Sequence, residues 1–398
     1  MCFQSLRGRL DKVATILLVE RMPLPVLNST NPAVVDMCKL LTRKGHRIIA
    51  LTMRNSKPQE DAVETYTFPF HFQRPKHLLK ILASLAFSFL APIYAAYVVK
   101  RESVDVVCYN DVVPVFWPVA WFFLRKVKKV HFEGDFITEY ISKRSLGRLV
   151  YKPLFQIERW HWKQFDAVAV PSKAFKRLLL RSGLPANRVK ILPESVDNQL
   201  FRPNPHETSK ALSVPFVVVT HGILTHYKGM DILLHAARKV TDKGYKLRVT
   251  IVGDGPERHT LENLSRKLNI EDSVVFVGWV PLERVPSLIR NARLGVVLRR
   301  KNLSNDLVLT QALLQYACLR VPILAPDAET IREEMKHGES SIIYQASNAD
   351  DLAEKIIFAI ENNGLLDVFA DRAWQIVNSR HSREIIAEKA SSICLSML

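Results

Sequence analysis

The feature that most constrains this chain is a series of short apolar runs between residues 216 and 325, each followed by glycine or polar residues. The runs are Phe216–Val219, Leu247–Val252, Val274–Val277, Leu294–Leu298 and Val321–Ala325. Segments with a helical pattern lie between them, and strands that alternate with helices predict a parallel sheet covered by helices. Ligands bind such sheets beyond the carboxyl ends of the strands, so a site is expected along that edge.

Glycines and one lysine stand at the ends of these runs. Lys228 precedes the first helical segment, Gly222 lies in the same loop, Gly253 and Gly255 follow the second run, and Gly278 ends the third. Backbone N–H groups at glycine turns and helix N-termini bind phosphate oxygens, and a lysine adds positive charge. This half of the chain therefore predicts a site for a phosphorylated ligand. Close packing of strand on helix would explain the same glycines without a ligand.

The first half of the chain shows the same alternation. Predicted strands cover residues 13–19, Arg47–Leu51, Asp105–Tyr109, Val130–Phe132 and Ala167–Val170, and a helix is predicted over Asn31–Lys44. The polar stretch 194–214 contains two prolines and is predicted to be a linker. With 398 residues, the chain is expected to form two α/β domains, residues 1–200 and 201–383. The closing helix, residues 384–398, is a candidate to pack back on the first domain.

The charge of the chain is uneven. Residues 1–200 hold 31 Lys and Arg against 16 Asp and Glu, a net charge of +15, whereas residues 201–398 hold 25 against 23, a net charge of +2. This imbalance suits an anionic membrane or a nucleic acid as partner of the first half. The five cysteines are scattered, which predicts a reducing compartment and neither a disulfide framework nor a zinc site. Charges stand at the N-terminus where a signal peptide needs an apolar core, so export is not expected.

One segment, Ile81–Val99, has 19 residues without a charge. Its length permits a transmembrane helix, but Pro92 and two serines interrupt it, and spanning would separate strands of one sheet. A buried core helix and a helix with its apolar face in the membrane interface are both favoured over a span. Trp117–Leu124, followed by a basic run, adds a second aromatic and basic patch. Together the two patches favour membrane contact by this domain.

Five motifs then follow in a recognisable order. They are D-A-V-A-V-P-S-K-A-F at Asp166–Phe175, V-K-I-L-P-E-S-V-D-N-Q-L-F-R-P at Val189–Pro203, the stretch His221–Ala236, V-G-D-G-P-E at Val252–Glu257, and V-V-F-V-G-W-V at Val274–Val280. In this order and spacing, the chain resembles the retaining glycosyltransferases of family 4, also called group 1. That resemblance covers nearly the full length. It implies the GT-B fold, an α/β architecture of two Rossmann-like domains facing across an interdomain cleft.

The resemblance assigns the second half to the nucleotide-sugar donor. Lys228 would contact the donor diphosphate, with Gly222 keeping the backbone close to it, and Phe276–Val280 would border the base pocket. Gly253, Gly255, Gly278 and Arg299 are the other candidate donor-binding residues. The second glutamate of the family's E-x7-E motif, which holds the donor ribose, is replaced by Gln315. A glutamine can still hydrogen-bond two hydroxyls, but without charge.

The chain departs from the family pattern at two further positions. Leu307 stands where the first glutamate of E-x7-E is expected, and the neighbouring Asp306 is the nearest acidic candidate for the transferred sugar. Asp306 also suits an N-cap of a helix over residues 307–314. Ile223 replaces the usual arginine of the phosphate loop; Arg299 and Arg300, after the fourth strand, are the better charge substitutes.

In the first domain, one motif carries the acceptor-side candidates. It reads His131-Phe132-Glu133-Gly134-Asp135. Glu133 and Asp135 join Asp306 as candidate catalytic carboxylates, and His131 and Gly134 are placed on the acceptor side. The alternative for these residues is loop structure. His161, between two tryptophans, is more typical of a packed helix residue than of a catalyst.

The combined prediction is a hexosyl-type glycosyltransferase acting with retention on a nucleoside diphosphate sugar and an acceptor, lipid-linked or a cell-surface glycan precursor. It needs no metal or other cofactor, lies in the cytoplasm at the inner face of a membrane, and has an anionic membrane surface but no nucleic acid as partner. The losses at Ile223 and Leu307 leave an alternative open, a GT-B protein that binds a nucleotide sugar or a partner without turnover. A nucleotide-sugar 2-epimerase fits the family motifs less well.

Overall fold

The computed structural model describes residues 13–20, 32–52, 63–67, 77–110, 124–134, 136, 138, 147–203 and 214–398. The chain divides into two compact units. The first unit is Met1–Glu194 together with Arg383–Leu398, and the second is Ser195–Ser382. The predicted linker therefore falls mainly at the start of the second unit, and residues 204–213 within it lie outside the described residues.

The first unit contains a seven-stranded sheet in the order β3-β2-β1-β4-β5-β6-β7. Its strands are β1 Thr15–Glu20, β2 Arg47–Thr52, β3 Glu64–Thr67, β4 Val106–Asn110, β5 Lys128–Phe132, β6 Ala167–Val170 and β7 Val189–Ile191. All neighbouring strands pair in parallel. β1 pairs with β2 on one side and β4 on the other, so the strand order reverses at β1, which is where such sheets bind ligands.

Five helices of the first unit fall in its described residues. They are α1 Pro32–Arg43, α2 His77–Glu102, α3 Gly147–Trp162, α4 Lys173–Arg181 and, at the C-terminus, α13 Arg383–Leu395. The closing helix α13 packs on α1, where Arg383 makes a two-pronged ion pair with Asp36 at 2.6 and 2.7 Å. Its Ile386 and Ala390 lie in one apolar core with Ile16 of β1. Residues from both ends of the sequence therefore build one core.

The segment predicted from Ile81–Val99 lies within α2. Within the described part of the chain, no helix is both long enough and apolar enough to cross a membrane. In the C-terminal half of α2, Ala91, Ala95 and Val98 are buried at the three- and four-residue spacing of a core-facing helix. On the opposite side, Ile93 and Tyr97 are 43% and 50% exposed. The patch at Trp117–Leu124 falls outside the described residues, apart from Leu124.

The second unit contains a six-stranded parallel sheet in the order β10-β9-β8-β11-β12-β13. Its strands are β8 Phe216–His221, β9 Leu247–Val252, β10 Val274–Gly278, β11 Leu294–Val296, β12 Ile323–Pro326 and β13 Ile342–Tyr344. All five apolar runs predicted between residues 216 and 325 overlap these strands, which confirms the predicted parallel α/β sheet. β8 pairs with both β9 and β11, so the strand order reverses at β8.

Helices connect these strands and complete the second unit. They are α5 Met230–Asp242, α6 Arg258–Lys267, α7 Val285–Arg290, α8 Leu303–Leu307, α9 Gln311–Cys318, α10 Glu329–Glu334, α11 Ala349–Glu361 and α12 Asn363–Arg380. One apolar core combines α5 and α11 with the sheet, and another combines α9 and α12 with it. Helices on both faces leave the carboxyl ends of the strands as the open edge of this sheet.

Candidate functional site

The loops that follow β8, β9 and β10 are bound to one another through their backbones. The Gly222 N–H donates to the Val252 carbonyl at 3.0 Å, and the Gly253 N–H donates to the Gly278 carbonyl at 2.9 Å. A Cβ atom on Gly253 would lie 2.1 Å from the Gly222 oxygen, so only glycine permits this approach. These contacts join loop to loop, and not strand to helix as in the alternative explanation of these glycines. We call the surface formed by Gly222, Gly253 and Gly278 the glycine floor. The backbone N–H groups of Gly222 and Gly253 are already hydrogen-bonded within it.

Gly255 extends the same floor. The Leu224 N–H donates to the Asp254 carbonyl at 2.9 Å, and the Glu257 N–H donates to the Leu224 carbonyl at 3.1 Å. A Cβ on Gly255 would lie 2.4 Å from that carbonyl oxygen. Leu224 is fully buried while its neighbour Ile223 is 62% exposed. The loop after β8 is therefore anchored at Leu224 and turns Ile223 outward.

Lys228 lies in a short turn between β8 and α5. The turn covers His226–Lys228 and ends at Gly229, whose φ of 74° is left-handed. Gly229 is also the N-cap of α5 and provides no side-chain cap. Arg300 holds the turn, donating from Nε to the His226 carbonyl at 2.9 Å and pairing with Asp231 at 2.6 Å. The lysine is thus positioned beside a helix N-terminus, where anions bind.

Gln315, in the middle of α9, contacts the last residue of β8. Its Oε1 lies 2.5 Å from Nε2 of His221, and Nδ1 of His221 lies 3.0 Å from the Tyr316 hydroxyl. Burial, and to a smaller extent the Lys228 cation, lowers the pKa of His221 to about 4, so the ring is neutral at pH 7. Sequence reasoning did not find this link, because the two residues are 94 positions apart.

Asp306 has a different structural role from the one predicted. The alternative to its candidate role at the transferred sugar, that Asp306 is the N-cap of a helix over residues 307–314, is wrong. Asp306 lies inside the short helix α8, which ends at Leu307, and α9 begins at Gln311 after the N-cap Thr310. The Asp306 carboxylate instead accepts a hydrogen bond from the Glu329 N–H at 3.0 Å, at the start of α10.

Arg299 explains why the helix is interrupted there. Its guanidinium donates to the carbonyl of Val308 at 2.5 Å and approaches that of Asn305 at 3.4 Å. These carbonyls lie at the end of α8, where an arginine satisfies free backbone acceptors. Arg299, Asp306 and Asp327 also line a small cavity beyond β11 and β12. Leu307, at the position of the missing glutamate, is only 3% exposed.

The acceptor-side candidates lie at the end of β5 in the first unit. Nε2 of His131 is 2.9 Å from Oε2 of Glu133, and the Trp162 indole N–H donates to the same oxygen at 2.6 Å. His131 and Glu133 are 2% and 6% exposed, and His131 stacks on Phe165 with ring centroids 4.8 Å apart. The carboxylate is therefore directed into the unit's own core. Its participation in catalysis stays a prediction.

The remaining candidates of this motif have different outcomes. Gly134 is buried, and Asp135 lies outside the described residues. His161 is 1% exposed, as predicted for a packed helix residue, and burial lowers its pKa well below the usual value. Sequence reasoning missed a buried pair at the strand reversal of this unit, where the Asn110 amide donates to Glu20. The sequence could have indicated this pair, because Glu20 and Asn110 are each the polar last residue of a buried strand.

No group of three or more His, Cys, Asp or Glu side chains suited to a metal ion occurs among the residues that the structure describes. The polar groups that the structure describes at the end of β8 include the Lys228 ammonium, the His221 ring and the Gln315 amide, beside a floor of glycine backbone. Such groups can bind an anion and hydrogen-bond hydroxyls. The carboxylate beside them, that of Asp231 in the first turn of α5, is paired with Arg300.

Comparisons with known proteins agree with this arrangement. Two family models match consecutive parts of the chain, Glycosyltransferase Family 4 over residues 32–200 and Glycosyl transferases group 1 over residues 203–375. The chain is 23% identical to a putative colanic acid biosynthesis glycosyltransferase, WcaL, of Escherichia coli, over 54% of this chain and 53% of that protein. The match thus spans about half the length of this relative.

Longer matches come from a plant protein and from solved structures. Sulfoquinovosyl transferase SQD2 of Arabidopsis thaliana is 21% identical over 94% of this chain and 68% of its own. Anabaena HepE in complex with UDP has a TM-score of 0.73 at 19% identity, over 96% of this chain and 100% of that one. WaaG, a glycosyltransferase involved in lipopolysaccharide biosynthesis, has a TM-score of 0.68 at 15% identity, over 95% and 99%. The chain therefore belongs to the group 1, or family 4, glycosyltransferases and has the GT-B fold.

Proposed function

We propose that this chain is a retaining glycosyltransferase of hexosyl type, which moves a sugar from a nucleoside diphosphate sugar to an acceptor. The observation that carries the proposal is the arrangement at the end of β8. There the Lys228 turn opens α5 at an uncapped helix N-terminus, and Gln315 is held against His221. A cation beside a helix N-terminus suits a diphosphate, and an amide suits ribose hydroxyls.

Within this proposal, each donor-binding residue has a distinct task. Lys228 binds the diphosphate and stabilises the negative charge that develops as the sugar leaves. Gly222 and Gly253 shape the floor rather than supply N–H groups, since theirs are bound to neighbouring loops, and Gly278 contributes the carbonyl that accepts from Gly253. Arg299 acts through α8 by holding Val308. Asp306 remains the candidate carboxylate nearest the transferred sugar, held in place by the start of α10.

A binding measurement tests the donor half of the proposal. HepE was solved with UDP and with UDP-glucose, which makes UDP the first of the nucleoside diphosphates to try. Specific binding raises the melting temperature of the native state. We expect Lys228→Ala to weaken UDP binding about tenfold or more, because it removes a charge-assisted contact. Lys243→Ala is the matched control, since Lys243 is exposed at the opposite end of α5. Equal affinities for the two variants would refute the assignment of Lys228.

We propose further that the acceptor is lipid-linked or a cell-surface glycan precursor, and that the first unit meets the membrane from the cytoplasmic side. Support comes from the net charge of +15 over residues 1–200 and from the exposed face of α2. On that face Ile93 and Tyr97 are exposed, and Arg101 donates to the Tyr97 hydroxyl at 2.9 Å. Apolar side chains beside cations suit an anionic lipid surface.

Flotation with liposomes tests the membrane proposal. Anionic vesicles should carry the protein upward and neutral vesicles should not, and added salt should reduce the effect. The double variant Ile93→Asp with Tyr97→Asp should reduce flotation. Leu365→Asp with Val368→Asp changes two apolar residues of similar exposure, 46% each, in the second unit and should have no effect. Equal recovery with anionic and neutral vesicles would count against the proposal.

A second candidate is a GT-B protein that binds a nucleotide sugar without turnover. Two observations favour it: buried Leu307 replaces the first glutamate of the family motif, and exposed Ile223 replaces the arginine of the phosphate loop. A panel of nucleotide sugars assayed for hydrolysis and transfer decides between the candidates. Turnover that disappears in Lys228→Ala and Gln315→Ala supports the transferase. Tight binding without turnover of any donor supports the second candidate.

A further inference from the structure

The ring of His221 is engaged on both nitrogens by consecutive residues of α9. Nε2 lies 2.5 Å from the Gln315 amide oxygen, and Nδ1 lies 3.0 Å from the Tyr316 hydroxyl. His221 is the last residue of β8. The strand at which the sheet reverses its order is thus joined to α9 through one imidazole.

These contacts determine which nitrogen carries the proton. A neutral imidazole has one N–H donor and one acceptor nitrogen. The Tyr316 hydroxyl also forms a hydrogen bond with the Thr220 side chain. Its acceptors that carry no hydrogen of their own are Nδ1 of His221 at 3.0 Å and the Val219 carbonyl at 3.5 Å, and the shorter contact is the better hydrogen bond. Nδ1 therefore accepts and Nε2 carries the proton. Because the Gln315 amide nitrogen can only donate, an Nε2–H on His221 must face the Gln315 amide oxygen.

The surroundings keep this arrangement in place. Tyr316 is fully buried, and a Cβ on Gly295 would lie 2.7 Å from its ring, so the strand β11 makes room for this tyrosine only by having glycine there. Burial and Lys228 lower the pKa of His221, so the ring remains neutral across physiological pH. With the oxygen held by His221, the Gln315 amide nitrogen has no hydrogen-bond partner among the residues that the structure describes.

We propose that His221 is a positioning residue, which orients the Gln315 amide so that its nitrogen donates hydrogen bonds to ribose oxygens of a bound nucleoside diphosphate. The identity of the ligand rests on the proposed function, whereas the orientation of the amide does not. A glutamate at this position would act in the opposite sense, because a carboxylate only accepts. In the ribose contact, the Gln315 side chain therefore donates the hydrogen bond, whereas a carboxylate would accept it from a ribose hydroxyl.

Nuclear magnetic resonance of protein labelled with ¹⁵N at histidine tests the orientation without any ligand. The His221 signals are identified by their absence from the spectrum of His221→Gln. In the wild type at pH 7 they should be those of the Nε2–H tautomer. Tyr316→Phe removes the donor to Nδ1 and should move the ¹⁵N chemical shift of this unprotonated nitrogen towards that of an acceptor without a hydrogen bond. Tyr344→Phe is the matched control, since its buried hydroxyl donates to the Val297 carbonyl at 3.1 Å. An Nδ1–H tautomer in the wild type, or no change in Tyr316→Phe, would overturn the inference.

Fluorinated ligands test the polarity of the ribose contact. The probes are UDP and its 2′-fluoro and 3′-fluoro analogues, because fluorine accepts weakly but cannot donate. In the wild type, affinity for an analogue should stay within about threefold of that for UDP, whereas Gln315→Glu should lose about tenfold or more, because its carboxylate needs a hydroxyl donor. A tenfold loss in the wild type would overturn the ligand half of the inference. If no nucleoside diphosphate binds while the tautomer is as expected, the proposed function fails and the orientation stands.

Discussion

The carboxyl-terminal ends of β8 and β5 each carry a histidine in a parallel sheet, but the two histidines are used differently. At the end of β8, His221 holds a half-buried glutamine whose nitrogen is left for a ligand. At the end of β5, His131 and Trp162 both engage the Glu133 carboxylate inside the core. A polar residue at the edge of a sheet is therefore a site only if its partners leave some of its hydrogen-bonding capacity unused.

The largest expected effect concerns the glycine floor beside β8. Gly253→Ala combines a φ of 134° with a Cβ only 2.1 Å from the Gly222 oxygen. We expect the free energy of unfolding to fall by about 3 kcal/mol. Gly338→Ala is the control, since its φ is 72° but no atom lies within 4 Å of the added Cβ; it should cost about 1 kcal/mol. If urea denaturation shows equal losses of unfolding free energy for the two variants, the loops that carry Gly222 and Gly253 can move apart to accommodate the added Cβ.

The next effect is a pH dependence that belongs to the β8 end. The pKa of His221 is about 4 in the folded chain against an ordinary value of 6.5. Between pH 7 and pH 5 the unfolded chain takes up a proton that the folded chain does not, so stability falls by about 2 kcal/mol through this residue.

Chemical denaturation at several pH values checks this expectation. His221→Gln should lack that part of the decline, while His259→Gln, at an exposed side chain, should keep the wild-type slope. Identical slopes for the wild type and His221→Gln would contradict the assignment of a depressed pKa to this ring.

The smallest effect concerns the β5 end. Trp162→Phe keeps an aromatic ring but removes the N–H that donates to Glu133, leaving a buried carboxylate with one partner fewer. A loss of about 1.5 kcal/mol in the free energy of unfolding is expected, the scale of a hydrogen bond to a charged group. Trp160→Phe, two residues earlier on the same helix and 38% exposed, should change it by less than about 0.5 kcal/mol. A large loss of transfer with unchanged stability would instead indicate that Glu133 serves the acceptor.

Much of the fold was predictable from local pattern. The runs Leu247–Val252 and Ala167–Val170 match strands β9 and β6 at both ends. Ala167–Val170 is buried throughout, as expected for a parallel strand covered on both faces, whereas β9 alternates between buried residues and the polar Arg248 and Thr250. The helix break at residues 308–310 was not predictable. Val308 and Leu309 continue an apolar pattern, and the Val308 carbonyl is bound instead by Arg299, a side chain from the loop after β11.

The candidate site divides in the same way. Lys228 and the glycines were found because phosphate-binding turns are local in sequence and place a lysine and glycines at fixed offsets from a strand. The partners of Gln315 and Glu133 were not found, since Gln315–His221 spans 94 positions and Glu133–Trp162 spans 29. A predicted role for Glu133 in the acceptor site rested on its place in a motif, which does not reveal where a side chain points.

By itself, the sequence determined that both halves are parallel α/β units, where most of their strands lie, and which residues follow the carboxyl ends of those strands; β3, β7 and β13 were not predicted. Apolar periodicity and glycine positions are sufficient for this, because they act over a few residues. Only the tertiary structure decided which of those polar residues are already satisfied. Hydrogen bonds between distant elements bury Glu133 and leave the Gln315 nitrogen available, and such contacts depend on packing that no local pattern encodes.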